Sequence, residues 1–261
     1  GNLKKDTMTL IITQISKHGI IHATDSNLSD QNGKTVGTGK KCFAIPKLNA
    51  GLTVAGSFGV GTVRMDKWMD DFITKSSSNS LENFAEELRS SLEKEMTTEQ
   101  KSGSLIHIAG YVKNGEKYHP EFWFVRNIYN MDTKTGEYSD VRNEFSKTED
   151  FWKRDNLKTE DTLFKKFQSN DGMYQLYING FTPGRIGYNI VQSQLTHFFS
   201  SLWSNKDWKF RAPKNIDEAK LLVNNYMSLI NTIFILSDYP GQMIGGDIQI
   251  EIIKQPDSIE I

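Results

Sequence analysis

The chain opens with two strand-like runs, Thr9–Ser16 and Ile20–Asp25, separated only by Lys17-His18-Gly19. So short a connection predicts an antiparallel hairpin, with Gly19 giving the turn its backbone freedom. A Gly/Thr/Lys-rich stretch at 33–40 leads into a second pair, Lys41–Ile45 and Gly51–Ala55, bent at Pro46 and Asn49. The pattern then changes period. Met65, Trp68, Met69, Phe72 and Ile73 recur at helical spacing, as do Leu81, Phe84, Ala85, Leu88 and Leu92, with Asn79 and Glu82 as a start signal. Strands return at Leu105–Val112 and Glu121–Ile128, joined at Asn114-Gly115, and again at Met173–Ile178. Two further helices are predicted at about Ile186–Trp203 and Ile216–Leu236, the second capped by Asn215 and Glu218. A last strand spans Asp247–Ile253.

Runs of strands and runs of helices, without strict alternation, predict an α+β protein with antiparallel sheets and helices on their outer faces. Two sheets face to face, each covered by a helix pair, make a four-layer αββα sandwich. That is the expected fold class, as one domain over residues 1–261. Residues 1–8 are read as a leader or remnant, and 139–172 as a charged, partly ordered insertion that also carries Phe145, Phe151, Trp152, Phe164 and Phe167.

Charge and composition narrow the function classes. Lys and Arg total 31 against 32 Asp and Glu, a net charge of −1, which argues against a generally basic nucleic-acid binder. Mean hydropathy is −0.50, and the most apolar stretch, near Ile233–Leu236, is far shorter than a membrane span of roughly 20 residues. The expectation is a cytoplasmic globular protein with no membrane partner. A single cysteine, Cys42, excludes an intramolecular disulfide and a multi-cysteine metal site. The five histidines lack metal-ligand spacing, and Gly56-x-x-Gly59-x-Gly61 lacks the Lys-Ser/Thr of a phosphate loop. Neither a metal nor an organic cofactor is expected.

The opening hairpin carries the candidate chemistry. With its turn centred near Lys17, residues whose numbers sum to about 34 should face one another, which places Thr9 opposite Asp25. Lys41 starts the next long strand and can bring its ammonium between them. A threonine hydroxyl is a weak nucleophile that needs a base. Were Thr9 the first residue, its own α-amine would serve, with Lys41 as a fixed cation and Asp25 orienting Lys41. A backbone N–H near Gly56, at a strand-to-helix bend, could hold the oxyanion.

Thr9, the segment Gly19-Ile20-Ile21-His22-Ala23-Thr24-Asp25-Ser26, Lys40-Lys41 and Ala55-Gly56 resemble the proteasome β-subunit pattern of the N-terminal-nucleophile hydrolase superfamily. The resemblance implies an αββα fold and a threonine-type peptidase or amidase acting on a peptide or small amide. Catalytic Thr9, Asp25, Lys41 and Gly56 are implied, as is a homo-oligomer, ring or smaller. Asp238 or Asp247 stands where the family carries a supporting aspartate. The chain departs from the family in placing Met8, not Gly, before the nucleophile. Removal of an initiator Met8 would expose Thr9. If Thr9 stays internal, the expectation changes to a catalytically silent scaffold or binding protein.

Overall fold

The computed structural model describes residues 9–30, 34–131, 138–148, 174–180, 213–236 and 244–256, with a few isolated positions between 194 and 207. In chain order the strands are β1 (Leu10–Ser16), β2 (Gly19–Thr24), β3 (Asn27–Ser29), β4 (Thr35–Thr38), β5 (Cys42–Ile45), β6 (Ala50–Gly56), β7 (Gly59–Val60) and β8 (Val63–Arg64). They continue with β9 (Ser104–Asn114), β10 (Lys117–Met131), β11 (Tyr138–Lys147), β12 (Tyr174–Gly180) and β13 (Gln249–Lys254). The described helices are α1 (Met65–Lys75), α2 (Leu81–Glu95) and α3 (Ile216–Ile235).

The main strands form two antiparallel sheets, one ordered β12-β1-β2-β13 and the other β11-β10-β9-β6-β5, while β3-β4 and β7-β8 make two small ribbons. Alternation along each strand divides the apolar residues among separate layers. On the outer face of the five-stranded sheet, Leu52, Val54, Ile106, Ile108 and Val125 pack against Met65, Met69, Phe84, Leu88 and Leu92 of α1 and α2. On the outer face of the four-stranded sheet, Leu10, Ile12, Ile21 and Ala23 pack against Val223, Met227 and Ile230 of α3. Between the sheets lie Ile15, Ile20, Tyr111 and Phe122, and further along Ile11, Ala55, Leu105 and Phe124.

These observations correct the expected four-layer αββα sandwich. The protein is dominated by antiparallel strands spread over several sheets, and the described helices number three. Among the described residues, a helix pair covers only the five-stranded sheet. Among the described residues, the four-stranded sheet buries its outer face against one helix, α3, whose apolar stripe is wide enough to span β1 and β2. The helix expected at about 186–203 lies outside the described residues, apart from a few isolated positions.

Local signals fare better. Asn215 caps α3, its Oδ1 accepting the Glu218 N–H at 2.9 Å, while Glu218 reaches back to the Lys214 N–H. The cap of α2 is one residue later than expected, Ser80 accepting from the Asn83 N–H at 3.1 Å. Gly115 turns β9 into β10 at φ 64°, and Lys117 pairs with Asn114. Part of the expected insertion is regular structure: Tyr138–Lys147 forms the edge strand of the five-stranded sheet, its charged residues suiting an edge. Residues 149–173 lie outside those described.

The first hairpin forms with a register one residue from that expected. Its turn is Lys17-His18, so Ser16 pairs with Gly19 and Ile11 with Thr24. Asp25 is therefore level with Leu10, immediately past the end of β2.

Candidate active site

Three elements converge at the open end of the first hairpin: the start of β1, the chain just beyond β2, and the start of β5. Thr9, Asp25 and Lys41 meet there, all essentially removed from solvent. The Lys41 Nζ donates to Thr9 Oγ1 at 3.0 Å, to Asp25 Oδ1 at 3.2 Å and to the Asn27 carbonyl at 2.5 Å. An ammonium has three N–H donors, and these acceptors use all of them. Thr9 Oγ1 accepts from Lys41 and so keeps its own hydrogen for another partner.

Asp25 reaches the cluster despite the register shift. Its Oδ1 also accepts the Leu10 N–H at 3.2 Å, and its Oδ2 accepts the Gly245 N–H at 3.3 Å. Burial pushes the Asp25 carboxyl up from its ordinary value, against the charge of Lys41 and these hydrogen bonds. Burial likewise draws Lys41 down, against the attraction of Asp25. The ion pair is thus held in a place that disfavours isolated charge, and each partner's charge works against the effect of burial on the other.

The scaffold around the cluster comes from both ends of the chain. The Gln249 Oε1 accepts the backbone N–H groups of Lys41 at 2.7 Å and Cys42 at 3.3 Å, while its Nε2 donates to the Gly39 carbonyl at 2.8 Å. The Gly245 carbonyl accepts the N–H groups of Ser26 and Asn27, both at 3.1 Å. Gly180, at φ 146°, lies directly against the Thr9 carbonyl, where a Cβ would have no room.

Gly56 ends β6 at φ 106°, with the Gly103 carbonyl where a side chain would sit. Ala55, beside it, packs on Ile11, two residues from Thr9. Gly56 thus belongs to the same end of the inter-sheet space as the cluster. Of the suggested supporting aspartates, Asp238 lies outside the described residues and Asp247 is exposed. The support the structure does provide near Asp247 is the amide of Gly245 and the side chain of Gln249. Reading side-chain types missed both, because one is a backbone group and the other an amide on an ordinary strand.

Deeper along β1, a second polar cluster bridges the sheets. Thr13 Oγ1 lies 3.1 Å from His22 Nδ1 and 2.9 Å from His107 Nδ1. His22 Nε2 donates to the Ala109 carbonyl at 3.1 Å, and His107 Nε2 meets Asn179 Oδ1 at 2.7 Å. With each Nε2–H directed outward, both Nδ1 atoms accept and share the one hydroxyl proton of Thr13. Burial lowers His22 to about 4 and His107 to about 3, so both are neutral near pH 7. Cys42 is buried with its thiol on the His22 carbonyl, and burial pushes that thiol up, which makes it inert. No group of His, Cys, Asp and Glu among the described residues is arranged to hold a metal ion. No described helix is long and apolar enough to cross a membrane.

Comparison with known proteins returns no matching family model and no curated relative.

Proposed function

We propose that the Thr9–Lys41–Asp25 cluster is a threonine-nucleophile centre for amide hydrolysis, active once the Met8–Thr9 bond is cut. One observation carries the reading: a buried ammonium, oriented by a buried carboxylate, donates directly to the hydroxyl of Thr9. Nothing in ordinary strand packing calls for that arrangement, because burying a charge pair is costly. The resemblance to proteasome β subunits supplies the reaction class, a peptide or small amide cleaved through a threonyl ester.

In this mechanism the freed α-amine of Thr9 takes the Oγ1 proton as Oγ1 attacks the substrate carbonyl. Lys41 favours the unprotonated amine and stabilises the developing alkoxide, and Asp25 keeps Lys41 charged and aimed. The Gly56 amide is assigned to the oxyanion. The amine then protonates the leaving nitrogen as the C–N bond breaks. Water, deprotonated by the same amine, hydrolyses the ester and restores Thr9. Assembly into a homo-oligomer belongs to the same proposal and is measured by light scattering.

A second reading has an observation of its own. Thr9 is only 3% exposed, and in the sequence its nitrogen is a peptide amide. A silent scaffold, with the ion pair serving only to fix the hairpin end, accounts for that burial. Intact mass of protein made from its native gene separates the two. A mature chain beginning at Thr9 supports the hydrolase. Retention of Met8 in protein that nonetheless cleaves amides would remove Thr9 from the mechanism. With Thr9 terminal, an amide-mimicking electrophile should label it, and Thr9→Ala and Lys41→Ala should each cut labelling by at least about a thousandfold. Undiminished labelling of either variant overturns its assigned role.

A further inference from the structure

Arg126 differs from the other described arginines. Arg64 is paired with Asp66, Arg89 with Glu86 and Glu93, and Arg142 with Asp140. Arg126 is half-buried on β10 and pairs with no carboxylate among the described residues, and its Nε is sealed from solvent without an acceptor. Its guanidinium carbon lies 5.1 Å from the centre of the Phe124 ring and 4.8 Å from that of Tyr129. Contact with ring faces engages the flat surfaces of a guanidinium and leaves its edge donors for a planar acceptor.

The position of this cation ties it to the Thr9 end of the inter-sheet space. Arg126 is level with Leu105, and Leu105 is level with Ala55, the neighbour of Gly56. Phe124, beneath the guanidinium, packs with Ile11 and Ala55. The phenol of Tyr138 lies within the field of Arg126 and is bonded to Asn179, which pairs with Ile11. Burial pushes that phenol up to about 12, so it keeps its proton and remains a neutral polar group beside the cation.

We propose that Arg126 binds a carboxylate of the substrate, so that the amides cleaved at Thr9 carry an acidic group close to the scissile bond. The inference rests on the Thr9 reading for the reaction and on Arg126 alone for the selectivity. A carboxylate fits better than a phosphate dianion. It matches the planar fork two oxygens to two N–H groups, and it brings one charge, not two, into a setting walled by Phe124, Ile128 and Tyr138.

The test has a binding arm and a turnover arm, each using the full chain. Glutarate is titrated into wild type, Thr9→Ala, Arg126→Gln, Arg126→Lys and Arg142→Gln by calorimetry. Saturable binding is expected in wild type, Thr9→Ala and Arg142→Gln, weakened by about tenfold or more in Arg126→Gln and partly kept in Arg126→Lys. If Arg126→Gln fails to fold, the wild-type titration and Arg126→Lys still decide the matter. Absence of binding in wild type, or equal binding in every Arg126 variant, overturns the proposal. In the turnover arm, matched glutamyl and glutaminyl amides are compared on protein with a free Thr9. A glutamyl preference of about tenfold that collapses in Arg126→Gln supports the inference, and equal rates on both amides overturn it. Glutarate binding without hydrolysis of either amide removes the Thr9 chemistry and the substrate role together, leaving Arg126 as a plain anion site.

Discussion

Thr9, immediately before β1, and Thr13, within it, are four residues apart, and each meets a pair of buried ionisable side chains from neighbouring segments. Their surroundings have opposite consequences. Around Thr13, two imidazoles face apolar walls and a single hydroxyl proton, and both stay neutral. Around Thr9, a carboxylate and an ammonium face one another, and backbone amides from Leu10 and Gly245 share the load of the negative charge. Burial acts on both clusters with the same sign, against charge. Only the second has partners of opposite charge that work against it. The first therefore fastens two sheets together, and the second keeps a cation against a hydroxyl.

The sharpest way to break this contrast is to remove one member of the charged pair. Asp25→Ala or Lys41→Ala leaves its partner as an unpaired buried charge and should cost about 3–5 kcal/mol in denaturant unfolding. The double change Asp25→Asn with Lys41→Met should cost clearly less than the sum of the single changes. If the single variants unfold like wild type, the pair is not held as the structure shows it.

The neutral cluster predicts a pH dependence with a defined sign. His22 and His107 have folded values near 4 and 3, below the 6.5 of an exposed histidine. Between those limits the unfolded chain binds protons that the folded chain does not, so stability falls as pH drops below 6.5. By pH 5 the loss should reach about 2 kcal/mol per histidine, continuing toward pH 4 and 3 as each folded value is approached. Denaturant midpoints at pH 7 and pH 5 measure it, and a His22→Phe variant should show a smaller drop. A flat profile would mean that the imidazoles titrate as if exposed.

The charged cluster should respond on the alkaline side. Because burial lowers Lys41, its ammonium is lost before the ordinary 10.5, and electrophile labelling of a terminal Thr9 should fall as pH rises toward that value. Labelling that is still flat at pH 10.5 would show that the cation is not required. The smallest effect belongs to a site remote from both clusters. Ser80→Ala removes the cap of α2 and should cost about 1 kcal/mol while leaving the pH profile and the labelling rate unchanged.

The periodicities of the chain are enough to locate most elements, because helices and strands bury faces at different spacings. Leu81, Phe84, Leu88 and Leu92 mark α2 unambiguously, and Asn114-Gly115 marks a turn. The strand Tyr138–Lys147 was hidden by its own charges, since an edge strand paired on one side has little to bury. The off-by-one register of β1 and β2 depended on whether Gly19 belongs to the turn or to the strand, and pattern alone does not decide that.

The identities of Thr9, Asp25 and Lys41, and their spacing along a hairpin and the strand that follows, were fixed by the sequence, because short turns constrain which residues can face one another. The groups that make them a site were not. The carbonyl of Asn27, the amides of Leu10 and Gly245, and the clamp of Gln249 on the backbone of Lys41 come from segments up to 220 residues apart in the chain. The architecture was likewise settled only in three dimensions, where a single described helix covers the four-stranded sheet. Backbone donors and acceptors are the same at every residue. Where they point is decided only when the sheets have packed and the last strand has paired with β2.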